Sequence, residues 1–205
     1  TVFWHDHVNF KSWDHGLFGA HIIEPAGSSY HDPISGNEVR SGPIVDIHAP
    51  PGSSVGHGQS GSFREFVAVT HNRTGGDFGA DLVDSGGSIN LAADPLAERG
   101  GNPAHLFSSI THGDPITPLP RAYVGDPFVI RHLGVVERVG GLRVTGHRFK
   151  IERWGAGGAI SDTSPLGISE RFDLILEGGA GGPGGFPGDY LYYSSVGRDF
   201  MAGAW

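Results

Sequence analysis

An all-β sandwich is the fold this chain of 205 residues predicts, on three observations. Apolar residues alternate in short runs and show almost no helical spacing. The 35 glycines and 14 prolines punctuate those runs as turns. The 12 phenylalanines and an apolar content of 38% supply enough side-chain volume for a core, which sets the chain apart from low-complexity sequences of similar Gly and Pro content. Many short strands joined by such turns pack as two layers of sheet.

The elements follow in order. Residues 1–25 are strand-rich and end at Ile22-Ile23-Glu24-Pro25. Residues 26–43 are polar and turn-rich (Gly27-Ser28-Ser29, His31-Asp32-Pro33, Ser35-Gly36-Asn37) and predict a connector. Residues 44–205 carry the rest: strands at Ile44–His48, Phe63–Val69, Phe128–Leu133, Gly141–Thr145, Phe149–Trp154, Arg171–Glu177 and Asp189–Tyr193. In Arg171–Glu177 the alternation turns Phe172, Leu174 and Leu176 inward. Gly125-Asp126-Pro127 and Pro187-Gly188-Asp189 are turns that launch strands, and Ala92–Arg99 is the one helical stretch.

Composition removes several function classes. The net charge is -8 with no block of Lys or Arg, which excludes an electrostatic footprint for nucleic acid. No apolar stretch approaches the length of a bilayer crossing, and no signal peptide is visible. Cysteine is absent, so disulfides, thiolate zinc sites and a blue-copper centre built wholly from this chain are excluded.

The chemistry-bearing segment is Trp4-His5-Asp6-His7. In an extended strand His5 and His7 project to one face and Asp6 to the other. Two imidazoles on one face suit copper or zinc, and spacing alone supplies half a site. A cupin would place Glu four or five residues beyond the second histidine, where Lys11 and Ser12 stand. A zinc hydrolase would need a third ligand, and none has suggestive spacing.

The segment also recurs. Val2–Val8 aligns with Tyr190–Val196, and Gly16–Gly19 with the Ala202–Trp205 region, so Tyr193 and Ser195 stand where the first copy has His5 and His7. If the second copy closes a domain, the first closes a preceding one, and the chain is expected to be an internal piece of a larger molecule.

Taken together the residues resemble multicopper oxidases, specifically the bacterial branch with ceruloplasmin-like repeated cupredoxin domains that includes manganese oxidases. The matching pieces are Phe3-Trp4-His5-Asp6-His7, His15–Ala20 with Ile22–Gly27, Asp32-Pro33 with Gly36, Ser62–Phe66, His112–Leu119, Gly125-Asp126-Pro127 and Gly188–Tyr192. The resemblance implies a cupredoxin-like Greek-key β-sandwich: one nearly complete domain (44–205) plus the closing strands (1–25) of a preceding one. It implies His5 and His7 as type 3 copper ligands of a trinuclear type 2/type 3 cluster, with the other ligands and the type 1 copper on missing segments. It implies one-electron oxidation of a substrate, a metal ion such as Mn(II) or Fe(II) or a phenol, coupled to four-electron reduction of O2 to water. The partners it implies are the remainder of the same oxidase, O2 and a small reducing substrate, in an extracytoplasmic (secreted, periplasmic or cell-surface) setting. The alternative is a non-catalytic cupredoxin-like copper-binding or structural subunit.

The family's second motif, His-x-x-His-x-His-Gly-His, is emptied here: Gly140, Arg143 and Thr145 precede Gly146-His147. A guanidinium has no lone pair to donate, so with Tyr193 and Ser195 the later domain is expected to be copper-free. Among the rest, His15 is a candidate outer hydrogen-bond partner, His147 a buried structural histidine, and His112 a loop cap. Asp6 is a surface or outer-sphere group. Glu24, Asp32, Asp77, Asp81 and Asp84 are weighed as oxygen ligands for a divalent substrate ion. The remaining histidines, including His21, His31, His48 and His132, show no ligand spacing. Asn72-Arg73-Thr74 matches a glycosylation sequon, taken as chance.

Overall fold

The computed structural model describes residues 1–9, 11–14, 16–53, 61–72, 86–114, 118–150 and 159–205. The chain begins as a hairpin of β1 (Val2–His5) and, after a short helix α1 (Lys11–Asp14), β2 (Phe18–His21). Next come β3 (Ser29–His31), β4 (Ile44–His48), β5 (Ser62–Asn72), β6 (Gly87–Ile89) and helix α2 (Ser109–His112). The second half adds β7 (Phe128–Val135), β8 (Gly140–Val144), β9 (Phe149–Lys150), β10 (Ile160–Ser161), β11 (Thr163–Leu166), β12 (Arg171–Leu176), β13 (Tyr192–Tyr193) and helix α3 (Gly197–Met201).

The main sheet runs β10-β9-β12-β7-β5-β4-β3, with β6 on the far end of β5. Its strands pair antiparallel except β5 with β7, which run parallel over Arg64–His71 and Phe128–Val135. A second sheet, β11-β8-β13, faces it. Between the layers lie Phe66, Ala68, Ile130, Leu142, Phe149, Leu174 and Leu176, the alternate positions of their strands. The fold is thus the all-β sandwich the strand pattern predicts.

The main sheet also buries its other face. Val45, Ile47, Phe63, Val129 and Ile175 form a second apolar cluster, closed by Tyr30, Val39 and Ala49. For that reason β7 is buried at every position, as a strand covered on both sides must be.

Several expectations change in detail. The first strand stops at His5, so His7 stands in the turn beyond it. Asp189–Tyr193 contracts to Tyr192–Tyr193, and Ala92–Arg99 to one 3-10 turn, Leu96–Glu98, behind Pro95. The turn-rich stretch 26–43 contributes β3, which pairs with β4 at the sheet edge. Of Phe149–Trp154, Phe149–Lys150 is strand and the remainder lies outside the described residues.

Charges fasten the hairpin to the sheet. Arg131 of β7 is 2% exposed and meets Glu24 at 2.5 Å, Glu65 at 2.6 Å and Asp173 at 3.2 Å. Burial pushes the Glu65 carboxyl up against the opposing pull of Arg131. Burial also works against the Arg131 charge, but Glu65, Asp173 and Glu24 together outweigh it. Thr1 Oγ1 donates to Asp173 at 2.6 Å, and Arg171 Nε donates to the Thr1 carbonyl at 2.7 Å. Glu24, weighed above as a ligand for a divalent ion, is instead consumed in this buried ion cluster.

Candidate metal centre

The end of β1 positions the two predicted ligands. Paired with β2 in the register His5–Phe18, His5 is half-buried, whereas His7 beyond the strand is exposed. The backbone turns there because the Asp6 carboxylate accepts the amides of Val8 (2.9 Å) and Asn9 (3.1 Å) and the Ser12 hydroxyl. Those bonds, led by Ser12 and Val8, hold the Asp6 carboxyl below its usual range, and the Asp6 carbonyl accepts the Trp13 indole N–H at 2.7 Å. Asp6 therefore shapes the loop, a role its spacing alone does not reveal.

Although His7 has left the strand, the two rings lie side by side, 4.4 Å between centres and 31° apart in plane. Trp13 packs edge-on against His5 at 4.4 Å and Phe3 stacks on it at 5.0 Å. His5 Nδ1 lies 3.1 Å from the Asp6 carbonyl. A carbonyl only accepts, so the proton sits on Nδ1 and Nε2 keeps its lone pair. The Ser169 hydroxyl donates to that lone pair at 3.0 Å. A tautomer fixed by a backbone carbonyl is the form in which histidine ligates metals, so the donor chemistry fits copper. Two imidazoles supply part of a coordination sphere, and among the described residues no group of three His, Asp or Glu gathers as a metal holder.

Ser169 is the residue the sequence hid. It sits between β11 and β12 with φ +58, left-handed for a residue with a side chain, a conformation costing on the order of 1 kcal/mol. Its amide donates to the Gly134 carbonyl at 3.0 Å, which holds the strained turn. Nothing in its spacing from His5, 164 positions away, marks it.

The other candidates separate. His15, Asp77, Asp81, Asp84 and the end of the sequon lie outside the described residues. The Asp32 carboxylate accepts Ile34 N, Ser35 N and Ser35 Oγ, closing its own turn. His147 is 5% exposed; its Nδ1 donates to the Thr145 carbonyl at 2.9 Å and its Nε2 accepts from Gly181 N at 3.1 Å. His112 Nε2 bonds the His105 carbonyl at 3.1 Å. Arg143, in the emptied motif, pairs with Asp162. His132 is fully buried between Thr70 Oγ1 and Ser164 Oγ, both at 2.9 Å, and burial drives its pKa down to about 3.

No protein-family model and no curated protein matches the chain. Among solved structures it is similar to a laccase from Botrytis aclada, with a TM-score of 0.56 and 15% identity over 99% of this chain and 33% of that one. It also matches a multicopper oxidase (TM-score 0.46, 13% identity, 82% of this chain and 59% of that one). A third match is the blue copper oxidase of Nitrosomonas europaea (0.45, 16%, 78% and 52%). The chain therefore spans less than two thirds of the length of each of these three proteins. The likeness to the laccase shows a cupredoxin-like β fold.

Proposed function

We propose that this chain is part of a multicopper oxidase, with His5 and His7 donating imidazole nitrogens to a type 3 copper pair. The observation that carries the reading is the ring pair itself: two imidazoles 4.4 Å apart, one with its tautomer set by the Asp6 carbonyl. The cupredoxin-like fold supports it, as does the sequence context of His5 and His7.

Residues 1–25 are then the closing strands of one cupredoxin domain and 44–205 most of a copper-free second one. The remaining ligands and the type 1 site belong to other parts of the assembly, which is extracytoplasmic. Copper, when bound, supplies one-electron chemistry and the reduction of O2. This chain's residues do the positioning. The Asp6 carbonyl holds the proton on His5 Nδ1, Trp13 and Phe3 wedge the ring from two sides, and the Asp6 turn sets His7 beside it. The reducing substrate is a metal ion such as Mn(II) or Fe(II), or a phenol.

The test is copper content and oxygen uptake of the intact assembly with Mn(II), Fe(II) and a phenol. About four coppers per active unit and substrate-dependent oxygen uptake, both lost in His5→Gln and His7→Gln, support the reading. One copper or none, with no oxygen uptake, replaces it with the non-catalytic copper-binding subunit.

A further inference from the structure

The turn between β11 and β12 is where the unit 44–205 reaches a histidine of the hairpin. Strand β11 ends at Leu166 and β12 begins at Arg171, so Gly167, Ile168, Ser169 and Glu170 make the turn. Hydrogen bonds fix its backbone. Gly134 N donates to the Glu170 carbonyl at 2.9 Å, Ser169 N to the Gly134 carbonyl at 3.0 Å, and Gly167 N to the Glu170 carboxylate at 2.5 Å. Inside this frame Ser169 takes φ +58. Glycine adopts that conformation without steric cost, yet this glycine-rich chain has a serine there. A strained residue that its surroundings hold in place points to a use for its side chain.

What the conformation achieves is the placement of Oγ, 3.0 Å from His5 Nε2. With the His5 proton on Nδ1, facing the Asp6 carbonyl, the serine hydroxyl donates to the one lone pair the ring can offer a metal. A metal–imidazole bond measures about 2.0 Å. An ion on the same lone pair would therefore stand only about 1 Å from the serine oxygen. The oxygen itself, and not merely its proton, has to leave before the nitrogen can take a metal. Phe3 and Trp13 hold the His5 ring from two sides, and the turn's backbone is fixed. The movement falls to rotation of the Ser169 side chain into another staggered rotamer.

We propose that Ser169 is a metallation latch, closing the coordinating lone pair of His5 in one rotamer and releasing it in another. The inference rests on the reading of His5 as a copper ligand and adds a control over how that ligand is loaded. In the closed rotamer the hydroxyl oxygen occupies the position an ion would take. Opening breaks the O–H···N bond, turns the hydroxyl to water and frees Nε2, with no proton changing hands. An ion has to displace the hydroxyl to bind, so loading at His5 is slowed by the loss of one hydrogen bond. The copper-free unit thereby governs a ligand that belongs to the neighbouring hairpin.

The experiment follows Cu(II) transfer from a coloured chelator to the copper-depleted intact assembly, in the phase of uptake that His5→Gln removes. Ser169→Ala and Ser169→Gly both delete the hydroxyl, but only glycine relieves the backbone. That phase is expected to run about two- to tenfold faster in both variants, the worth of one hydrogen bond. Rates equal to those of the unaltered chain in Ser169→Ala overturn the latch. So does acceleration confined to Ser169→Gly, which assigns the effect to backbone strain. If His5→Gln takes up its full copper with every phase intact, His5 is no ligand and the underlying reading falls together with the latch. If His5→Gln loses copper while Ser169→Ala changes nothing, the latch alone falls.

Discussion

Residues 2–18 and 192–205 are two copies of one backbone device with opposite surroundings. Asp6 N donates to Leu17 O at 3.3 Å, and Ser194 N to Ala204 O at 2.9 Å. Leu17 N reaches Ser12 O at 2.9 Å, and Ala204 N reaches Asp199 O at 3.0 Å. Gly16 N meets Trp13 O at 2.9 Å, and Gly203 N meets Phe200 O at 3.1 Å. Even the capping side chain repeats, Asp6 to Val8 N at 2.9 Å and Ser194 to Val196 N at 3.2 Å. What differs is the cover. In the second copy Ser194, Asp199, Ala204 and Trp205 are buried, whereas in the first Trp4 is 50% and Val8 96% exposed. An aromatic cluster of Phe107, Tyr193, Phe200 and Trp205 packs the second copy; ions and hydrogen bonds hold the first. The same local geometry thus serves packing at one end and presents imidazoles at the other.

The hardest test of that contrast is Arg131→Leu. It strands three buried carboxylates, at a cost of about 3–5 kcal/mol. Denaturant unfolding should show the loss, and hydrogen exchange should show Asp6 and Leu17 amides exposed before those of Ser194 and Ala204. Equal loss of protection in both copies would mean that charge does not hold the first one specifically.

The two matching glycines give the next largest effect. Both are left-handed, Gly16 at φ +83 and Gly203 at φ +101, but a Cβ on Gly203 strikes the Ala93 carbonyl while one on Gly16 meets nothing within 4 Å. Gly203→Ala should cost about 3 kcal/mol and Gly16→Ala about 1 kcal/mol, read as shifts in thermal midpoint. Similar shifts for the two would erase the difference in packing.

Acid acts on the sandwich that carries the second copy. His132 holds a pKa of about 3 in the fold, below the ~6.5 of a free imidazole. Between those values the unfolded chain binds a proton that the folded chain refuses. Its contribution is complete above pH ~6.5 and falls as pH drops towards 3, by up to about 1.4 kcal/mol per unit. Glu65, raised by burial, acts with the opposite sign. His132→Asn should flatten the slope of stability over this window, and an unchanged slope would assign it to carboxylates instead.

The smallest effects concern the metal. Ser169→Ala removes the hydroxyl that competes with a metal for the His5 Nε2 lone pair, so copper affinity of the intact assembly should stay the same or rise slightly while the melting temperature stays near its starting value. Grafting the pair onto the second copy, Tyr193→His with Ser195→His, should give Cu(II) binding about 10–100-fold weaker than at His5 and His7, because the ring at 193 packs against Phe200 in the aromatic cluster. Equal affinity would show that the backbone device alone suffices.

The repeat was legible in the sequence because its geometry is local: a strand, a polar cap and a glycine with positive φ leave marks at fixed offsets. So were β4, β5 and β12, whose apolar alternation follows from burial of one face, and β7, a run buried on both faces. Long-range partners left no such mark. Ser169 reaches His5 from another strand connection, and Glu24 is indistinguishable from a solvated carboxylate until Arg131 is placed against it. The exit of His7 from the strand was hidden for the converse reason, since Asp6 reads as an ordinary alternating position yet caps the turn that ends β1.

The cluster around Arg131 has one more consequence. A fastening made of surface charges slackens as ionic strength rises, with a screening distance of about 8 Å at 0.15 M and 3 Å at 1 M. This one is shut away from the counterions that do the screening. The hairpin should keep its orientation on the sheet from fresh water to brine, carrying the two histidines to the same place in either.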